Sequence, residues 1–141
     1  MDETYFAVRP SNLRTLGFRK TLTRPRPDMH ASDLELVRGT FDLILLKTLS
    51  WGPMHGLGVV RWIEEVTHQQ LLVEEGALYP ALHRLEQKKW LAAEWGYTEK
   101  NRRAKYYRLT ERGRKQLATE TTRWARYTQA IELILASEAA Q

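Results

Sequence analysis

The sequence predicts a small mainly α protein of the α+β kind, in which four helices accompany a single two-stranded β-hairpin. Three observations support this prediction. Apolar residues recur at helical spacing over most of the chain beyond residue 33, the period changes to that of strands at about residues 91–109, and a long amphipathic segment follows. With 141 residues the chain has the length of one domain and can bury a core without disulfide bonds.

The composition excludes several classes of protein. There is no cysteine, which rules out disulfides, thiol catalysis and cysteine-ligated zinc. The longest apolar run, Phe41 to Leu49, is interrupted by Asp42 and Lys47 and falls far short of the roughly 20 residues of a membrane helix. The first residues lack the apolar core of a signal peptide. We therefore expect a cytoplasmic protein that does not enter a membrane.

Basic residues are concentrated in one part of the chain. The formal net charge is +5, and the segment from Lys100 to Lys115 holds eight lysines and arginines against one acid, Glu111. Such a strip is either a solvated charged surface or a surface that faces phosphates, and the structure that carries it decides between the two. The eight residues are Lys100, Arg102, Arg103, Lys105, Arg108, Arg112, Arg114 and Lys115.

Residues 1–32 differ from the rest of the chain. They contain Pro10, Pro25 and Pro27 together with several arginines, and they show no sustained apolar period. This pattern predicts a basic, flexible N-terminal extension rather than part of the folded core.

Two helices are predicted to begin the folded part. The apolar residues from Leu36 to Ser50 are too dense for one stripe, so the first helix must be covered on more than one side. Trp51-Gly52-Pro53 ends it, because glycine and proline interrupt helical hydrogen bonds. The second helix is predicted from about His55 to His68, with His55 as a hydrogen-bonding residue at its start, and Leu71–Val73 is a candidate strand.

A third helix is predicted to present a polar side to solvent. Glu74 and Glu75 mark its N-terminus, where negative charge is favourable, and Pro80 is expected in its first turn. Its apolar face is formed by Leu78, Leu82 and Leu85. The outward positions are Ala77, Tyr79, His83, Arg84, Gln87 and Lys88.

The period changes after the third helix. Residues 91–95 and 105–109 are rich in aromatic side chains and predict two strands. A polar loop, residues 96–104, joins them, and its Asn101 tolerates a left-handed turn. The basic strip therefore falls on the loop and the second strand of a hairpin.

A long helix is predicted to end the chain. Thr110 is placed to cap it, and Leu117, Trp124 and Ile131 follow at intervals of seven residues. This stripe extends beyond the small domain beneath it, and an exposed stripe of that size favours pairing with a second copy and with the first helix. The predicted dimerisation residues are Leu117, Trp124, Tyr127, Ile131, Ile134 and Leu135.

The order of these elements predicts a winged helix-turn-helix, with the two-stranded hairpin as the wing. In that fold the third helix enters the major groove of double-stranded DNA, and basic residues of the wing neutralise phosphates. We expect residues 33–109 to form the DNA-binding domain and residues 110–141 the C-terminal dimerisation helix. Residues 1–32 would then be either a solvated tail or an arm along a DNA groove.

Three motifs resemble the PadR family of transcriptional regulators. They are Trp51-Gly52-Pro53-Met54-His55-Gly56 before the second helix, residues 75–86 in the third helix, and residues 102–110 in the wing. The resemblance spans roughly residues 34–135 and places the motifs in the order found in the family. Leu57 departs from it, since the family commonly has tyrosine after His-Gly.

The resemblance implies a homodimeric regulator, usually a repressor, with two recognition helices and two wings on one pseudo-palindromic operator. It places Tyr79 at the DNA backbone, and alternatives remain for two of the residues. In the alternative for Tyr79, its ring packs on the hairpin. In the alternative for Arg84, its guanidinium pairs with Glu86 or Glu75 and does not read a base. The implied DNA-binding residues are Ala77, Tyr79, Pro80, His83, Arg84, Lys88, Arg102, Arg103 and Lys105.

The resemblance also implies an effector site. In this family a drug or phenolic compound can sit at the dimer interface, and Trp124 falls where some relatives stack aromatic ligands. The alternative role for Trp124 is core packing.

Other functions are less well supported by the residues. There is no Gly-rich phosphate loop and no HExxH metal pair, and the four histidines are scattered, so we expect neither an enzyme nor a metal or cofactor site. The stronger alternative is a winged-helix protein-interaction module without specific DNA binding. A basic wing beside a polar third helix favours DNA over that alternative.

Overall fold

The computed structural model describes residues 29–30 and 38–139 and has four helices and five short strands in that part of the chain. The helices are α1 (Arg38–Leu49), α2 (Gly56–Val66), α3 (Glu75–Gln87) and α4 (Glu111–Ala136). The strands are β1 (Met29–His30), β2 (Met54–His55), β3 (Leu71–Leu72), β4 (Leu91–Tyr97) and β5 (Arg103–Leu109). This confirms the predicted mainly α fold with a hairpin wing.

The core lies between α1, α2 and α3 and the base of the hairpin. Leu45, Leu46 and Leu49 of α1 are almost completely buried, and Leu43 and Ile44 on other sides of the same helix are half-buried. α1 touches α2, α3, α4 and β5. The prediction that α1 must be covered on more than one side is therefore confirmed, since a helix this apolar needs several partners.

The hairpin is longer and its loop shorter than predicted. β4 and β5 each contain seven residues and pair antiparallel from Leu91↔Leu109 to Tyr97↔Arg103. The loop is therefore only residues 98–102, where Asn101 adopts the left-handed conformation expected of it (φ 57°). The predicted loop of residues 96–104 was wrong because polar side chains at a solvated wing tip do not prevent backbone pairing.

A third strand joins the hairpin at the start of α2. Met54 and His55 form β2, which pairs antiparallel with Tyr107 and Tyr106 of β5, so the sheet has the order β2-β5-β4. The helix predicted from His55 thus begins at Gly56. His55 is its N-cap, and its Nδ1 accepts a hydrogen bond from the Gly58 amide at 3.1 Å.

The candidate strand after α2 is confirmed for two residues. Leu71 and Leu72 form β3, which pairs in parallel with Met29 and His30 of β1. Met29 and His30 lie in the segment predicted to be a flexible extension, and the rest of that extension, residues 1–28 and 31–32, lies outside the described part of the chain.

α4 is anchored at the base of the wing. Thr110 caps it as predicted, with its side-chain oxygen accepting from the Gly113 amide at 3.0 Å. The Thr110 hydroxyl also lies 2.7 Å from the carbonyl oxygen of Lys89, and its amide donates to Trp90 at 3.0 Å. Gly113 is the only buried residue of α4, so most of this 26-residue helix extends away from the core.

Candidate nucleic-acid interface

α3 has one buried face and one exposed stripe. Leu78, Leu82 and Leu85 are completely buried, as their spacing predicted, and Ala81 is buried beside them. Ala77, predicted to point outward, is half-buried and packs partly against the core. The exposed residues of the opposite side are Gly76, Tyr79, Pro80, His83, Gln87 and Lys88.

Pro80 lies deeper in α3 than predicted. α3 begins at Glu75, which places Pro80 in the second turn, where proline removes the hydrogen bond to the carbonyl of Gly76. Gly76 is exposed, and a Cβ added to it would meet nothing within 4 Å. The expectation of a first-turn proline was wrong by about one turn, because Glu74 and not a later residue is the N-cap.

Tyr79 lies over a glycine. A Cβ on Gly56 would come within 2.7–2.8 Å of two ring carbons and the hydroxyl oxygen of Tyr79, so the absence of a side chain at the start of α2 allows the ring to lie there. Burial raises the pKa of Tyr107 on β5, and Glu86 and Tyr79 contribute to the rise. Tyr79 is 45% exposed, so it lies beside Gly56 and still presents part of its ring to solvent.

Arg84 forms an ion pair that the sequence did not indicate. Its guanidinium contacts the carboxylate of Asp42 on α1, which is nearly buried, and it pairs with neither Glu86 nor Glu75. The pair joins α3 to α1 across the core boundary. A carboxylate at a buried position needs such a partner, because losing it would leave an unpaired charge in a poorly solvated place.

A second ion pair joins α3 to the wing. Lys105 Nζ lies 3.1 Å from Glu86 Oε1, and this hydrogen bond raises the pKa of Lys105 above its ordinary value. Lys105 also lies over the ring of Tyr107, at 5.4 Å from its centre. The geometry fixes the second strand of the wing beside the C-terminal half of the third helix.

The wing tip presents two exposed arginines. The loop is closed by bonds from the Thr98 amide to the Arg102 carbonyl and from the Asn101 amide to the Thr98 carbonyl, each 2.8 Å long. Arg102 and Arg103 are both exposed, and the Arg103 guanidinium lies 4.5 Å from the centre of the Trp95 ring. Arg102 at the end of the short loop and Arg103 at the start of β5 are therefore held at the wing tip, in an arrangement suited to contacting phosphates.

A cleft lies between α1 and the middle of α4. It has a volume of about 270 Å³ and is open to solvent. Trp124 and Tyr127 line one side, with their ring centres 6.1 Å apart. The other lining residues are Gly39, Thr40, Leu43, Glu120 and Arg123.

The predicted dimerisation residues lie mostly in the open. Leu117 packs partly against the core, whereas Tyr127, Ile134 and Leu135 are exposed, Leu135 by 78%. Trp124 is exposed and Ile131 is half-buried. Leu133, which the spacing did not single out, is as exposed as Ile134.

Trp95 and Tyr97 on β4 were not predicted as surface residues. They are 59% and 56% exposed, although aromatic residues in a strand are typical of a core. Because side chains alternate along a strand, Trp95 and Tyr97 share a face with Leu91 and Ala93. The domain is small, which could have indicated that this face extends beyond the core at the far end of the strand.

Other kinds of site find no support in the described residues. In residues 29–30 and 38–139 there is no group of three or more side chains able to hold a metal ion. Within the same part of the chain, no helix is both long and apolar enough to cross a membrane.

Comparison with known proteins identifies the fold and its family. The family model described as the transcriptional regulator PadR-like family matches residues 45–119. A curated relative from Lysinibacillus sphaericus, an uncharacterised protein, is 28% identical over 101 residues, which are 72% of this chain and 93% of the relative.

Solved structures agree with the family model. A transcriptional regulator from Clostridium thermocellum is 28% identical with a TM-score of 0.64, over 70% of this chain and 95% of that one. A PadR family transcriptional regulator from Eggerthella lenta is 29% identical with a TM-score of 0.63, over 77% of this chain and 92% of that one. The region matched by the family model contains α2, α3 and the wing, and so includes both elements of the candidate interface. The chain belongs to the PadR-like family of DNA-binding winged-helix transcriptional regulators.

Proposed function

We propose that the protein is a sequence-specific regulator that binds double-stranded operator DNA as a homodimer and acts as a repressor. The observation that carries this proposal is the pairing of two surfaces, the exposed stripe of α3 and the cationic tip of the wing. A helix fits the major groove, where base pairs are distinguishable, and a basic hairpin beside it suits the phosphates.

The residues of the interface divide by role. Pro80 and His83 are proposed to face the groove, with Ala77 at its edge and with Tyr79 and Lys88 near the DNA backbone. The wing residues Arg102 and Arg103 are proposed to contact phosphates, each releasing bound counterions.

Arg84 and Lys105 receive a different role from the one the motifs implied. Because Arg84 is paired with Asp42 and Lys105 with Glu86, we propose that Arg84 holds α3 in place on α1 and that Lys105 holds the wing at a fixed spacing from α3. Lys105 is only half-buried, so its ammonium keeps a side toward the DNA. A fixed spacing lets both surfaces reach one stretch of duplex.

The test of this function is fluorescence anisotropy on duplex DNA from upstream of the protein's own gene, beside a shuffled duplex, at several salt concentrations. We expect the native duplex to bind about a thousandfold more tightly. Arg102→Ala/Arg103→Ala should weaken binding to both duplexes and reduce the slope of log affinity against log salt by about one per lost phosphate contact.

A matched variant controls for charge alone. Arg112→Ala/Arg114→Ala removes the same number of positive charges, but from α4. These two arginines follow Leu109 at the base of the wing, and the length of β5 places that base about 20 Å from the wing tip. It should leave the salt slope close to that of the unchanged protein. Equal and feeble binding of both duplexes, with no effect of either pair of substitutions, would favour the protein-interaction alternative.

The homodimer is proposed from the exposed apolar stripe of α4. Residues 110–141 would form the dimerisation segment and residues 33–109 the DNA-binding unit. Contact between the α4 stripe of one protomer and α1 and α4 of its partner would bury side chains that water surrounds in one protomer alone. A two-fold axis there would place two α3 helices about one turn of DNA apart.

A small aromatic effector is proposed to bind in the cleft beside Trp124. The cleft volume of about 270 Å³ suits a molecule of one or two rings, and Trp124 and Tyr127 offer faces on which to stack. Titration with phenolic acids and planar cationic dyes should quench tryptophan emission. The quenching should be smaller in Trp124→Phe, and identical quenching in the two proteins would remove Trp124 from the site.

A further inference from the structure

One face of the wing continues from the core into solvent. Side chains alternate along a strand, so every second residue of β4 shares a face with its partner on β5. From the base of the hairpin to its tip, the paired residues of this face are Leu91 and Leu109, Ala93 and Tyr107, Trp95 and Lys105, and Tyr97 and Arg103.

The two halves of this face differ in burial. Leu91, Leu109 and Tyr107 are buried in the core, whereas Trp95 and Tyr97 are 59% and 56% exposed. β4 is the edge strand of its sheet, so both rings lie at its margin. Two large aromatic side chains on one exposed strand form an apolar surface of the kind that marks a contact site.

Cations surround the two rings. Arg103 stands directly opposite Tyr97 in the register, and its guanidinium lies 4.5 Å from the centre of the Trp95 ring. Lys105 stands opposite Trp95. Lys105 is paired with Glu86, whereas no ion pair within the described residues involves Arg103. Exposed rings beside such a cation are complementary to a polyanion that also has apolar parts.

The same face lies toward α3. Lys105 bonds to Glu86 of α3, and Tyr107 is near Tyr79. The exposed rings therefore lie on the side of the wing that meets the third helix, and duplex DNA seated on α3 would run past them.

We propose that Trp95 and Tyr97 pack against the deoxyribose rings of the duplex beside the wing, while Arg103 lies between these rings and the phosphates. The inference rests on the proposed function and deepens it. Sugars present C–H surfaces that an aromatic ring covers without reading sequence, and phosphates flank every sugar. The contact is therefore apolar and independent of base sequence, unlike that of α3.

The test compares Trp95→Thr/Tyr97→Thr with the unchanged protein by anisotropy on the native and shuffled duplexes. Threonine is favoured in strands, so the hairpin should persist, and circular dichroism and thermal unfolding check this. We expect affinity for both duplexes to fall about tenfold, as when an aromatic contact with nucleic acid is lost, with an unchanged specificity ratio. The salt slope should stay the same, because no phosphate contact is lost.

Two further variants sharpen the test. Trp95→Phe/Tyr97→Phe keeps an aromatic ring at each position and should retain most of the affinity of the unchanged protein. Arg103→Thr should lower the salt slope, whereas Arg108→Thr, exposed on the opposite face of the same strand, should not.

A direct measurement uses 5-fluorotryptophan in place of all five tryptophans. The ¹⁹F resonance of Trp95, assigned with Trp95→Phe, should shift on addition of duplex DNA, and that of the half-buried Trp62 should not. If the unchanged protein binds DNA and the threonine variant binds equally well, the inference fails while the proposed function stands. A changed specificity ratio would mean that the rings read bases and would also overturn it. No binding by the unchanged protein would reject the function itself.

Discussion

Replacing Gly113 with alanine is expected to lower the free energy of unfolding by about 2 kcal/mol. A Cβ at this position would overlap the carbonyl oxygen of Trp90 and lie 2.7 Å from Cδ1 of Leu109. The Trp90 carbonyl belongs to the backbone, so it cannot rotate away from the new Cβ as the Leu109 side chain can. Alanine would return up to about 1 kcal/mol through its higher helix propensity, and the overlap outweighs this gain.

The overlap would act on the joint between the wing and α4. Thr110 donates its amide to the Trp90 carbonyl at 3.0 Å and lies within 2.7 Å of the Lys89 carbonyl through its hydroxyl. Moving the first turn of α4 away from Trp90 would stretch these bonds as well. Thermal unfolding followed by circular dichroism, at one protein concentration, should show a midpoint lower by about 10 °C.

Gly76→Ala is the matched control, since Gly76 also lies near the start of a helix. Nothing is within 4 Å of the position of its Cβ, so alanine should be neutral or stabilising by up to about 1 kcal/mol. Equal midpoints for the two variants would show that the α4 joint yields easily and that Gly113 is not required for close approach.

Local patterns in the sequence predicted the elements that local physics determines. The apolar face of α3, the Thr110 cap and the left-handed Asn101 depend on neighbours within a few residues, and each is found as predicted. The paired lengths of β4 and β5 were underestimated, because backbone pairing across a hairpin is insensitive to the polarity of side chains near its tip.

Contacts between distant parts of the chain could not be predicted. The partner of Arg84 is Asp42, which is 42 residues away, and the sequence offers two closer acids, Glu75 and Glu86. Glu86 is instead occupied by Lys105. Only the packing of α1 against α3 and of the wing beside α3 decides which acid each cation meets.

The ion pair between Asp42 and Arg84 gives α1 a connecting position. α1 borders the cleft through Gly39, Thr40 and Leu43, and it holds Arg84 of α3 through Asp42, one residue from the cleft lining. A helix that touches both the cleft and the third helix would transmit a shift at one to the other. The proposed effector site and the proposed reading helix thus share a rigid support.

Ile134→Arg/Leu135→Arg is expected to convert a dimer into a monomer and to weaken operator binding by about a hundredfold or more. Two linked DNA-binding domains bind more tightly than one by that factor, because the second binding event becomes intramolecular. Both residues lie on the stripe that contains Trp124, Tyr127 and Ile131. They are 69% and 78% exposed, so the substitutions remove almost no contact within a protomer. Sedimentation measures the mass, and anisotropy measures the affinity.

Leu133→Arg tests whether dimerisation depends on the stripe itself or only on the overall hydrophobicity of α4. Leu133 is 67% exposed, nearly the same as Ile134, but at about 100° per residue it lies on the opposite side of α4 from Trp124 and Ile131. The same change of chemistry there should leave both mass and affinity unaltered. If Leu133→Arg also yields a monomer, the pairing surface is not the predicted stripe. If neither variant changes the mass, the two copies associate through another surface, and the spacing of the reading helices must be derived from that one.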